Sequence, residues 1–181
     1  EDLDAQEIRE RQEFAYEAAV QLKRRFMSPE VFENLGADPK KVIAFIEKQD
    51  LDAASIQLKN ALQQNGSLAE ARFLLGRINM RQGNVAGGVK ELQRALELGH
   101  PRDVVAVELA PALVAAGELD KLFAEFGDPR VSEPKARAAV SAALGDGHLL
   151  RRDIEKARAS YLESIAAAPD EPRSRIGLAR T

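Results

Sequence analysis

Ala54-x-x-x-Leu58-x-x-Ala61-Leu62 returns 34 residues later as Gly88-x-x-x-Leu92-x-x-Ala95-Leu96. Small and large apolar residues alternating at intervals of three and four mark a helix packed closely on a neighbour. Return of the same pattern at a fixed interval marks a stacked array whose units cannot each bury an apolar face alone. Further columns agree. Leu51, Val85, Leu119 and Ile154 follow one another at 34, 34 and 35 residues. Three positions on stand Ala54, Gly88, Leu122 and Ala157, and four further on stand Leu58, Leu92, Phe126 and Tyr161. Leu75-Gly76, Leu109-Ala110 and Leu144-Gly145 form a second set, which predicts the first helix of each hairpin. Gly83 and Gly117 fall at the turn between first and second helices, where a positive φ is needed.

Composition narrows the chemistry. The 181 residues are 45% apolar but only 5% aromatic, with few β-branched runs from which to build strands. The net charge is -3, with acids and bases interspersed, so nucleic acid and anionic membrane are not expected partners. The one basic run, Lys23-Arg24-Arg25, reads as a solvated helix end. Cysteine is absent, which excludes disulfides, thiolate metal sites and cysteine nucleophiles from these residues. No apolar run reaches the roughly 18 residues needed for a membrane span. His100 and His148 are the only imidazoles. His100 follows a helix-ending glycine and reads as a cap or a solvent-facing residue, and His148 reads as structural. There is no HExxH pair and no phosphate-binding glycine loop, and Gly145-Asp146-Gly147 is too short for a calcium loop and is better explained by close helix packing. These readings predict no enzyme activity, no cofactor and no metal site.

The 34-residue period and its small-then-large order resemble the tetratricopeptide (TPR) repeat. They predict an all-α, right-handed TPR superhelix, an α–α solenoid of about four repeats behind an N-terminal helical leader. The leader spans residues 1–37. The array spans 38–181, with repeats at about 38–68, 69–102, 103–136 and 138–171 and a truncated fifth from 172. The chain reads as a piece of a longer protein. Repeat two carries Gly87-Gly88 inside its second helix, at a cost of about 1 kcal/mol each relative to alanine, so Gly88→Ala is expected to raise the melting temperature. In repeat three, Pro111 is expected to kink the first helix and Gly127-Asp128-Pro129 to cut the second one short. Leu122 there occupies a column that prefers alanine.

The wording of Ile56 through Asn65, Ala69 through Gly76 and Arg175 through Arg180 is more specific. It resembles the TPR-repeat lipoprotein that accompanies PEP-CTERM protein sorting and exopolysaccharide production in Gram-negative bacteria, over about residues 38–181. The resemblance implies a non-enzymatic solenoid in the periplasm or anchored to the outer membrane by lipid on an N-terminal cysteine. This chain lacks that cysteine, so the anchor is expected only if the natural start lies upstream.

In TPR arrays the first helices line the concave face. The inward positions of repeat two are then Phe73, Arg77, Met80 and Arg81, and those of repeat one include Ile43, Ile46 and Glu47. An aromatic, a pliable methionine and two arginines form a cradle for a protein or peptide segment. The alternative is that Phe73 is buried between repeats and the arginines are ordinary solvated charges. The lysine and asparagine by which chaperone-binding TPR domains grip an acidic chain end are replaced by Phe73 and Arg77, which argues against that role. A structural spacer within a longer TPR rod and a cytoplasmic assembly adaptor are the rival functions. The leader is open to packing on its own array or on a second copy, the latter giving a homo-oligomer.

Overall fold

The computed structural model describes residues 50–128, 130–169 and 172–181. The leader, and Ile43, Ile46 and Glu47 of the cradle, lie outside the described residues. Within them the chain is all-helical: α1 (Leu51–Gln64), α2 (Ala69–Arg81), α3 (Val85–Glu97), α4 (Arg102–Ala115), α5 (Leu119–Phe126), α6 (Pro134–Leu150), α7 (Ile154–Ala167) and α8 (Pro172–Leu178).

Helix starts follow from local chemistry. Asp50, Asn84 and Asp153 precede α1, α3 and α7, and each side chain accepts a hydrogen bond from a first-turn N–H, of Ala53, Gly87 and Lys156 respectively. Glu118, before α5, makes no such cap. The turns before α3, α5 and α7 reverse through a positive φ, at Gly83 (78°), Gly117 (71°) and Arg152 (61°). Arginine pays a steric cost there that glycine does not. Arg152→Gly is therefore expected to raise stability by about 1 kcal/mol, or the melting temperature by roughly 2–4 °C. An unchanged or lowered transition would show that the arginine side chain offsets its backbone strain.

The helices stack in two layers. Each first helix touches the next, α2 to α4, α4 to α6 and α6 to α8, while α1, α3, α5 and α7 pack chiefly on first helices. In an array of TPR type the first helices form the inner layer, and the array is an α–α solenoid. Its core is correspondingly a ribbon. Leu58 packs with Leu74, Leu75 and Ile78 at one end, and a longer run passes from Phe73 and Val89 through Leu109, Leu122 and Phe126 to Val140 and Leu144.

Small residues set the helix spacing. A Cβ on Gly76 would lie 2.7 Å from Leu92 Cγ, and one on Gly145 would lie 2.6 Å from Tyr161 Cε1. A Cβ on Gly147 would lie 2.8 Å from Leu122 Cδ2. Leu122 therefore fills its alanine-type column with 0% exposure because the facing helix gives way at Gly147. Close packing accounts for both glycines of Gly145-Asp146-Gly147. The second helix of repeat three is short, as its sequence suggests. This helix, α5, has only eight residues and ends at Phe126, before Gly127. Pro111 lies inside α4, which continues through it to Ala115.

Gly88 overturns the gain expected from alanine. A Cβ there would sit 2.5 Å from Met80 Sδ and 3.2 Å from the Gly76 carbonyl oxygen. The methionine tip can swing aside, but the carbonyl is backbone of a packed helix. Gly88→Ala is expected to lower stability by about 1 kcal/mol, the overpacking outweighing the better helix propensity. A raised melting temperature would show that α2 and α3 separate at no cost.

Candidate binding face on the first helices

The four described cradle residues share α2 but differ in availability. Phe73 is 6% exposed and belongs to the core. Its ring stacks on that of His100, with centroids 4.5 Å apart at 20°. Arg77 covers it at 5.7 Å from guanidinium carbon to ring centroid. Phe73 is thus not an accessible anchor. The imidazole carried in by the α3–α4 turn closes over it, and His100 is itself buried instead of facing solvent. His100 Nδ1 lies 3.3 Å from Glu70 Oε2.

Arg77 is engaged a second time. Its Nε lies 2.9 Å from Glu108 Oε1 of α4, an ion pair that ties adjacent first helices together. Met80 is half-buried against the core and Arg81 is exposed. Partial burial, and then the positive charge of Arg77, pull the Arg81 guanidinium below its ordinary pKa, with Glu108 opposing. It remains charged at neutral pH. Among the described residues, Arg81 makes no ion pair.

The face continues beyond the cradle of repeats one and two. Glu108, which no sequence motif marks, belongs to it through its pair with Arg77. The 34-residue shift that exposed the repeat also carries Phe73, Arg77, Met80 and Arg81 onto Val107, Pro111, Val114 and Ala115 of α4. Val107 and Val114 are half-buried against the core, and Ala115 is exposed. On α6 the matching positions are Ala142, buried, Asp146, half-buried and paired with Arg173, Leu149, half-buried, and Leu150, 61% exposed. The inner layer thus presents aliphatic side chains across α4 and α6, interrupted by the paired acids Glu108 and Asp146, with arginines at the α2 side.

His148 packs against Phe123, with centroids 4.6 Å apart, and Arg151 lies over the same ring at 4.4 Å. Burial lowers the His148 pKa, as do Lys156 and Arg151, with Asp153 opposing, so the imidazole is neutral at pH 7. Among the described residues no group of three or more His, Asp or Glu side chains could hold a metal ion. No helix there is long and apolar enough to cross a membrane.

Residues 40–101 match the tetratricopeptide repeat family, a span that includes α1, α2 and α3. No curated protein matches the chain. The family match supports membership of the TPR superfamily, whose repeats mediate protein–protein interaction and scaffolding and are typically non-enzymatic.

Proposed function

We propose that this TPR array is a scaffold that holds a protein or peptide segment on the face of its first helices. One observation carries the reading: Met80, Val107, Val114 and Leu149 are left half-open along that face, beside exposed Arg81, Ala115 and Leu150. Aliphatic surface next to uncommitted charge is what a bound segment can use, with affinity concentrated in a few anchors. Neither Phe73 nor Arg77 suits a direct test, since one is core and the other ties α2 to α4.

A photocrosslinking residue placed at Arg81 or Ala115 is expected to trap a protein partner, and the same residue at Ile56 or Leu162, exposed on second helices, is not. Adducts from the second helices alone would overturn the proposal. Adducts from neither layer would favour a spacer within a longer rod. The resemblance to the PEP-CTERM-associated lipoprotein supports a place in bacterial envelope assembly for exopolysaccharide or protein sorting. The start of the full-length gene tests that part: a signal peptide ending at a cysteine supports it, and a cytoplasmic start without one rejects it in favour of an assembly adaptor.

A further inference from the structure

We infer that the segment bound on this face carries an aspartate or glutamate side chain followed by aliphatic residues, the carboxylate held by Arg81 and the aliphatics resting on Val107, Val114 and Leu150. The inference rests on the first-helix face being the binding face and adds the chemistry of what binds. Two arginines and one glutamate meet at the α2–α4 junction, and Arg77 already has the glutamate at 2.9 Å. Arg81 is left exposed, without an ion pair among the described residues, and repelled by Arg77, which the more weakly acting Glu108 offsets only in part. An incoming carboxylate relieves that repulsion and can take two guanidinium N–H bonds, whereas an incoming lysine or arginine would add to it.

The column containing Arg81 also sets a direction. Its counterparts one and two repeats on are Ala115 and Leu150, both uncharged and exposed. Behind them Val107, Val114 and Leu149 remain half-buried. The Arg81 column is therefore polarised, cationic at α2 and uncharged over α4 and α6, while the acids of this face, Glu108 and Asp146, are already paired with Arg77 and Arg173. A matching segment places its acid at one end and its aliphatic residues along the rest.

The test is selection of a random peptide library, displayed internally so that no free chain end is presented, on the purified protein. Two variants accompany it: Arg81→Glu, at an exposed site, and the near-isosteric pair Val107→Thr with Val114→Thr, each checked for an unchanged helical melting curve. Enriched peptides are expected to carry Asp or Glu ahead of Leu, Ile or Val, and to bind Arg81→Glu about tenfold more weakly. Selection on Arg81→Glu is expected to exchange the acid for lysine or arginine. Peptides without acidic bias, or ones held equally well by Arg81→Glu, would overturn the inference. If such peptides still weaken on the valine pair, the first-helix face survives as the binding face and only its acid preference is lost. If they weaken on neither, or if nothing is enriched, both fall.

Discussion

Tyr161→Ala is expected to destabilise the C-terminal half of the array by about 3–5 kcal/mol, the range for removing a large buried aromatic side chain. The residue is 0% exposed and sits on α7 with its ring between Gly145 of α6 and Gly177 of α8. No neighbour is placed to refill the gap, because both facing positions lack even a Cβ. The hydroxyl donates to Asp146 Oδ1 at 2.6 Å, and burial together with that carboxylate raises the phenol pKa far above its ordinary value. Asp146 in turn accepts from Arg173 Nε at 2.8 Å. Thermal unfolding should show a fall of roughly 6–20 °C. Tyr161→Phe keeps the ring and should cost about 1.5–3 kcal/mol for the lost bond to a charged acceptor. If the alanine variant melts within a degree or two of wild type, the tyrosine is not the joint between α6, α7 and α8.

Gly145→Ala is expected to cost about 2 kcal/mol, although alanine is the better helix former by about 1 kcal/mol. The new methyl would meet Tyr161 Cε1 at 2.6 Å and Cδ1 at 2.7 Å. The ring cannot retreat, since Gly177 packs against it as well. The cause is checked by a double-mutant cycle. In a Tyr161→Leu background the same alanine should cost markedly less, giving a coupling of the sign and size expected of touching residues. Additive losses would mean that Gly145 is needed for some contact other than the tyrosine. Gly88→Ala differs in kind, because the atoms nearest its methyl belong to the end of a flexible methionine.

These two effects bear on function through geometry. Arg77–Glu108 ties α2 to α4, and the α6–α7–α8 joint extends the inner layer beyond them. A second buried link reinforces that joint: Ser164 Oγ donates to the Ala138 carbonyl at 2.7 Å and lies 2.6 Å from Ser174 Oγ. A binding face assembled from several helices stays continuous only while these joints hold.

The helix pairs were legible in sequence because packing demands repeat wherever the same two backbones cross. Gly76 and Gly145 could be named as approach points, and Gly83 and Gly117 as turns, from their columns alone. Leu122 looked like an exception until the facing helix was seen to lack a side chain at Gly147. Of the cradle, the sequence could indicate which residues share one side of α2, because a 3.6-residue period determines that. It could not tell that Phe73 is consumed by stacking on His100, since that ring arrives from a turn 27 residues away.

The repeat, the hairpins and the small-residue columns are thus determined by the chain's own periodicity, since each depends on contacts that recur at a constant separation. Which charges are committed was decided only in the tertiary structure. Arg77 and Arg81 are alike in type and lie on one helix, and they are distinguished because Glu108 on the next first helix forms its ion pair with Arg77, which also lies over Phe73. Such pairing depends on the distance and angle between neighbouring helices, which no local pattern encodes.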